Sequence, residues 1–381
     1  MLLAGCGRRN DSGATGAGWV RDTLRYARSF TIWRNGEERL LLVHGHGGVG
    51  DTAGAYHLAP DGRWSATPFK ADRMGMPLRR LATLSSTHVP FITALDARDA
   101  LVGVAFPDAV RDQVLARAIA EGRLKGLGTT EVLDRETLIA LRPDAVLGYP
   151  FGGGAQATLG GAGLAVVQVC EYLEQHPLGR AEWIRFFGVL TGLERMADSL
   201  FDAIAARYEA TAAMAAADTV HPVVFFGSQW NGQWSVPPGN SYMARLIEDA
   251  GGRYAFAHRS APGNIDIDME TLLATLDTVD NWGMITAQEG EVYPRHLTRN
   301  DPRLVGLGVV KEFHLFAGNT RTADLFGQAL LEPDQVLRDL RYCFGDGWRQ
   351  RPWEEDHPYF RPLRPEAVSI PYEPEEVPYD Q

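Results

Sequence analysis

Between Arg180 and Met214 the chain contains no proline, and Trp183, Phe186, Phe187, Leu190, Leu193, Met196, Leu200, Ile204 and Tyr208 recur at helical spacing. The stretch is predicted to be one long helix, with Gly192 as the place where it would break. At about 1.5 Å per residue it spans tens of ångströms, enough to run from one globular unit to another. For a chain of 381 residues, two lobes of about 100 to 200 residues each is the ordinary expectation.

Both sides of this helix share one grammar. Before it, strands are predicted at Leu81 to Leu84, Leu101 to Ala105, Ala145 to Leu147 and Val166 to Val169, with helices at Val89 to Leu95, Asp112 to Glu121 and Glu136 to Leu141. After it come a strand at Val223 to Phe226, a polar aromatic loop at Gly227 to Trp234, and helices at Ser241 to Ala250 and Glu270 to Leu276. Closing strands are expected at Leu304 to Val310 and Glu312 to Phe316, then a last helix near Pro333 to Phe344. Such alternation implies parallel sheets flanked by helices, with ligand-facing loops at the strands' carboxyl ends.

From Tyr26 to Pro68, short β-rich runs alternate with turn signals at Asn35-Gly36, Gly45 to Gly50 and Asp61-Gly62, the pattern of β-hairpins. The glycines from Gly45 to Gly50 do not make a phosphate-cradling loop, because Asp51 follows where a Lys-Ser/Thr pair is needed. The fold class is α/β: two Rossmann-like lobes joined by a single long helix, with N-terminal β-hairpins. The expected divisions are an N-terminus and linker at 1–20, hairpins at 21–78, a first lobe at 79–179, the helix at 180–217, a second lobe at 218–345, and a Pro-rich tail at 346–381 lying across the surface.

A formal net charge of -11 opposes binding to nucleic acid phosphates. No apolar run reaches the roughly 18 residues of a membrane-spanning helix. Only Cys6, Cys170 and Cys343 occur, which excludes a disulfide-built framework; the last two pair or stay as separate buried thiols. Nucleophile elbows, His-Glu-x-x-His helices, Walker loops and dinucleotide fingerprints are missing from the sequence, so nothing recommends an enzyme. Leu3-Ala4-Gly5-Cys6 resembles the lipobox of bacterial lipoproteins and is followed by a polar stretch to Gly18. That resemblance implies lipidation at Cys6, although the basic and apolar regions of a secretion signal do not precede it here.

Each half of the chain carries a copy of one segment, Leu133-Asp134-Arg135-Glu136-Thr137-Leu138 and Ile267-Asp268-Met269-Glu270-Thr271-Leu272. In both, an Asp stands at a helix N-cap position and a Glu follows in the first turn, where it favours the positive end of the helix dipole. With Leu84-Ser85-Ser86-Thr87-His88, Leu101-Val102-Gly103-Val104, Glu171-Tyr172-Leu173-Glu174, Pro177-Leu178-Gly179-Arg180-Ala181-Glu182-Trp183 and Gly239-Asn240-Ser241-Tyr242, in this order, the chain resembles the substrate-binding proteins of ABC importers for iron chelates, haem and cobalamin. The resemblance covers about Arg79 to Phe344. It implies a monomeric, extracytoplasmic, membrane-anchored protein that captures a ferric siderophore, haem or corrinoid without an intrinsic cofactor. Delivery would be to a permease dimer with its ATPase subunits, and the family's paired docking carboxylates fall on Glu136 and Glu270.

Loops after the strands are expected to line the interlobe cleft. They offer Ser85, Thr87, His88, Tyr149, Phe151, Glu171 and Tyr172 from the first lobe, and Trp230, Asn231, Trp234, Tyr242 and Arg321 from the second. Rigid aromatic faces with polar edges suit a flat macrocycle or catecholate-type chelate, and Arg321 suits an anionic one. Trp230 and Trp234 are expected to face the cleft, and Glu174 the surface. His88 is either a metal ligand or a hydrogen-bonded loop residue. An importer of free zinc or manganese remains an alternative if His44, His46, His57 and His88 converge; a chelate-binding lipoprotein working without a transporter is another.

Overall fold

The computed structural model describes residues 18–46, 48–60, 62–149, 159–230, 233–298, 301–345 and 357–364. The N-terminal hairpins form one five-stranded sheet of β1 (Val20–Arg21), β2 (Phe30–Asn35), β3 (Glu38–His44), β4 (Thr52–Ala59) and β5 (Asp72–Gly75), in sequential order. Its pairs are antiparallel except β4 with β5. Gly36, at φ 57°, takes the left-handed conformation that the two-residue loop between β2 and β3 requires.

The first lobe is a five-stranded, wholly parallel sheet ordered β10-β9-β6-β7-β8, from β6 (Leu81–Thr83), β7 (Leu101–Val104), β8 (Lys125–Gly126), β9 (Ala145–Gly148) and β10 (Val166–Gln168). Its helices include α1 (Val89–Ala94), α2 (Gln113–Ala120) and α3 (Arg135–Leu141). Asp112 caps α2 by accepting from the Leu115 N–H.

Two helices, not one rod, then connect the lobes: α4 (Pro177–Thr191) and α5 (Glu194–Ala216). The chain turns at Gly192, whose φ of 73° is accessible to glycine at no steric cost. A Cβ at Gly188 would stand 2.5 Å from that of Ala197, so the two helices pack closely there. Thirteen of the fifteen α4 residues are buried, which makes α4 a core helix shared by the surrounding units. The 23-residue α5 is the long connector, roughly 35 Å from end to end.

The second lobe repeats the parallel plan in the order β14-β11-β16-β17-β18, with β11 (Val223–Phe226), β14 (Arg253–Tyr254), β16 (Asn281–Thr286) and β17 (Leu315–Asn319) parallel and β18 (Arg361–Pro362) antiparallel at the edge. A three-stranded antiparallel sheet of β12 (Ser228–Trp230), β13 (Gln233–Val236) and β15 (Ile265–Ile267) stands beside it. The helices α6 (Tyr242–Asp249), α7 (Met269–Leu276), α8 (Pro294–Thr298), α9 (Gly308–Lys311) and α10 (Pro333–Phe344) complete it.

Two readings of this lobe change. Leu304 to Val310, expected as a strand, is helical: a 3-10 turn at Pro302–Gly306 is followed by α9, and Leu304, Val309 and Val310 point into the core. The closing strand is β17, all five of whose residues are buried. The tail, expected on the surface, instead supplies β18 (Arg361–Pro362), antiparallel to β17, and buries Tyr359 and Phe360. Cys170 and Cys343 are separate buried thiols.

Candidate ligand-binding cleft

The first wall is built where β6 ends. Ser85 caps the 3-10 turn Ser86–His88 by accepting from the Thr87 N–H at 3.3 Å, and the Ser85 and Thr87 hydroxyls lie 2.9 Å apart. Thr87 in turn donates to Glu171 Oε1 at 2.6 Å, tying this loop to the one after β10. Tyr149 and Tyr172, both half-buried, meet edge to face at 6.4 Å. Burial pushes the neighbouring Cys170 thiol up to about 12, so it stays neutral.

His88 does not present its ring to the cleft. It is fully buried, with Phe187 6.2 Å away, Nδ1 3.4 Å from Thr83 Oγ1 and Nε2 3.8 Å from Glu171 Oε2. Burial holds its pKa below the ordinary value, with Glu171 opposing, so the ring is neutral at pH 7. Among the described residues neither His88 Nε2 nor Glu171 Oε2 has a hydrogen-bond partner. Glu171 itself is only 3% exposed and acts here as the acceptor that holds Thr87.

The floor contains a cation that sequence reasoning missed. Arg180, in the first turn of α4, donates to the carbonyls of Tyr172 at 3.0 Å and Glu174 at 3.3 Å. Its guanidinium carbon lies 3.7 Å from the centre of the Tyr242 ring at the start of α6. Desolvation lowers its pKa, opposed by Tyr242, Glu171 and Glu174, and it remains charged at pH 7. A lone Arg between the buried Leu178 and Ala181 was the available signal. Around it Met243, Ile285, Leu325 and Pro333 line a partly open pocket of about 20 Å³, room for one water.

A second missed arginine joins the lobes further out. Arg111, in the loop between β7 and α2, donates to the Thr320 carbonyl at 2.8 Å, directly after β17. The carboxyl ends of the two parallel sheets therefore face each other. Beside Thr320, Arg321 is exposed, 3.2 Å from Glu289 and 3.4 Å from the Ala287 carbonyl. The structure brings Ser85, Thr87, Glu171, Tyr172 and Tyr149 together on one wall, Tyr242 against the floor, and Arg321 at the opposite sheet end.

Trp234, expected in the cleft, belongs to the core: it is 4% exposed and 5.7 Å from Trp282, ring centre to ring centre. Of Trp230 only the backbone, paired with Gln233, is described; Phe151, Asn231 and Cys6 lie outside the described residues. Glu174 is buried rather than on the surface. His44 and His57 are buried in the N-terminal sheet, His57 bonded to Glu38 at 2.5 Å, and no three metal-ligating side chains converge among the described residues.

Glu136 and Glu270 are both exposed in the first turns of α3 and α7. Their helices start with the same capping bond: Asp134 accepts from the Thr137 N–H at 2.9 Å and Asp268 from the Thr271 N–H at 2.7 Å. Each helix feeds a strand, β9 or β16, that pairs with the first strand of its sheet.

A family model described as periplasmic binding protein matches residues 81–303. An uncharacterized lipoprotein of Methanocaldococcus jannaschii is 24% identical over 281 residues, 70% of this chain and 65% of that protein, so the chain spans just under two thirds of that relative's length. Among solved structures, a periplasmic haem-binding protein from Pseudomonas aeruginosa superposes with a TM-score of 0.56 at 22% identity, covering 70% of this chain and 92% of that one. A protein of an Fe3+-hydroxamate transport system from Saccharomonospora viridis gives 0.53 at 20% identity, covering 71% and 94%. A periplasmic haem-binding protein of Vibrio cholerae gives 0.55 at 18% identity, covering 68% and 97%. At these identities the structures bear on the fold.

Proposed function

The chain belongs to the periplasmic binding protein family, and we propose that it is the extracytoplasmic binding component of an ABC importer, carrying a metal chelate such as a ferric siderophore, haem or corrinoid in the cleft between its lobes. The observation that carries this reading is the pair of parallel sheets whose carboxyl ends face each other, joined by the Arg111 to Thr320 bond. Tyr149, Tyr172 and Tyr242 provide faces for a ring system. Arg111, Arg180 and Arg321 provide local positive charge in a chain whose net charge is -11, which favours an anionic chelate or one bearing carboxylates.

Glu136 and Glu270, one per lobe, are the proposed contacts to basic sockets of the permease. Exposed pairs of this kind contribute about 0.2 to 1 kcal/mol each, so docking raises encounter rate and stays reversible. Anchoring through a lipid on Cys6 agrees with the lipoprotein relative. Among the described residues no helix is long and apolar enough to cross a membrane.

Titration of the purified protein with haem, cobalamin, a ferric trihydroxamate and a ferric catecholate, followed by tryptophan fluorescence, tests the reading. One of them is expected to saturate at one equivalent with a submicromolar Kd, on the order of −8 kcal/mol or better. Failure of all four, with stoichiometric binding of free zinc instead, would replace the chelate by a bare ion.

A further inference from the structure

The N-terminal sheet is fastened to the chain segment that makes the cleft floor. Residues 25–29 direct five consecutive backbone N–H groups at two buried carboxylates. Glu182 accepts from Arg25 at 2.9 Å, Tyr26 at 2.7 Å and Ala27 at 2.8 Å. Glu174 accepts from Arg28 at 2.9 Å, Ser29 at 2.8 Å and the Trp183 indole at 3.1 Å. Glu182 also takes an ion pair from Arg185 at 3.0 Å.

These carboxylates bracket Arg180 in sequence, and the Glu174 carbonyl is one of its two backbone acceptors. The fit leaves little slack. A Cβ on Gly179 would meet Glu174 Oε2 at 3.1 Å and the Tyr26 carbonyl at 3.4 Å. The Tyr26 and His176 rings meet tilted, 4.6 Å between centres. If the Glu174 side chain lost its three donors, the loop from Tyr172 to His176 would lose its outer anchor, and both acceptors of Arg180 lie in that loop.

We infer that Glu174 and Glu182 are positioning residues for the cleft: by gripping residues 25–29 they set the place of Arg180 against Tyr242, which makes the N-terminal sheet a working part of the binding site. The inference rests on the cleft reading above, and it goes beyond it by giving the extension a role in binding.

A double-mutant cycle with Glu174→Gln and Arg180→Lys separates positioning from general stabilisation, with haem and a ferric trihydroxamate as probes. Acting through Arg180, Glu174→Gln is expected to weaken the bound probe about tenfold in the parent and less than about twofold in the Arg180→Lys background. Equal losses in both backgrounds, or none, would overturn the inference. A readout without ligand is the Arg180 Nε–H NMR resonance, assigned by its disappearance in Arg180→Lys. In Glu174→Gln it should shift and exchange faster with water, and an unchanged resonance would overturn the inference even if neither chelate binds. Failure of both chelates with the parent protein sinks the cleft reading alone. Should Glu174→Gln not fold, Gly179→Ala presses on the same carboxylate without removing its charge and takes its place, with the same outcomes.

Discussion

Replacing Glu182 by Ala gives the sharpest test of how the N-terminal sheet is held. The side chain is fully buried and accepts three backbone N–H groups, from Arg25, Tyr26 and Ala27, besides its Arg185 contact. A buried donor left without a partner costs about 1 to 3 kcal/mol, so three set an upper range of roughly 3 to 9 kcal/mol. Water entering the vacated space and relief of the carboxylate's own desolvation bring the expected loss to about 3 to 5 kcal/mol, as for other broken buried pairs. At about 1 to 1.5 °C per kcal/mol for a chain of this size, Tm should fall by about 3 to 8 °C. Calorimetry reads the loss, and hydrogen-exchange mass spectrometry on a peptide spanning 22–33 locates it at residues 25–27. The control is Arg25→Ala, which removes exposed ion pairs to Glu209 and Asp202 and should cost no more than about 1 kcal/mol. A drop below about 2 °C with protection of residues 25–27 intact would refute the reasoning, because the N–H groups would then have found other acceptors.

Two other outcomes follow from the same geometry. Burial keeps His88 and His44 below their ordinary pKa, and burial with nearby Arg245 brings His176 to about 4. Each is depressed below an unfolded value of about 6.5, so the unfolded chain takes up protons first. Stability is then full above pH 6.5 and declines as pH falls toward 4. Glu174, raised by burial, acts in the opposite sense and recovers part of the loss at the acid end. Urea midpoints at pH 7.5, 6 and 5 should fall in that order, and a flat series would contradict the assignment. Changing Glu136 and Glu270 together to Ala should leave ligand Kd within about twofold, since both are exposed in the first turns of their helices. Uptake by cells carrying the transporter should drop several-fold, and unchanged uptake would remove the docking role.

The plan of the lobes was legible because its signals are local. Apolar runs bounded by polar loops gave β6, β7, β9, β10 and β11, and Asp112, Asp134 and Asp268 marked helix starts that the structure caps as expected. Gly192 marked the break in the connector. The misplacement of Trp234 came from taking polar neighbours as a sign of exposure. In β13 the alternation of Gln233 and Ser235 with Trp234 and Val236 is a strand with one buried face, and the two apolar residues are the buried ones. Leu304 to Val310 carried β-branched residues but also Gly306 and Gly308, and tertiary packing settled it as helix.

Arg180, Arg111 and the two gripping glutamates were illegible for a different reason. Arg111 meets Thr320 across 209 residues, and Glu174 and Glu182 meet their donors across 145 to 157. A charged residue near a helix start has an ordinary local explanation, and only the folded arrangement shows that Glu174 and Glu182 are buried against backbone from elsewhere, that Arg111 reaches the Thr320 carbonyl and that Arg180 lies against Tyr242. The nearest sequence cue was the small residue Gly179 beside Arg180, which marks the close approach of another chain segment.

Hydrogen exchange with and without the chelate that binds tightest puts the cleft itself to the test. Binding between facing sheet ends should slow exchange together at residues 85–88 and 170–174 in the first lobe and at residues 320–323 in the second. Slowing confined to one lobe or to the N-terminal sheet, with the other wall unchanged, would mean that the ligand sits elsewhere and that the interlobe cleft is not the binding site.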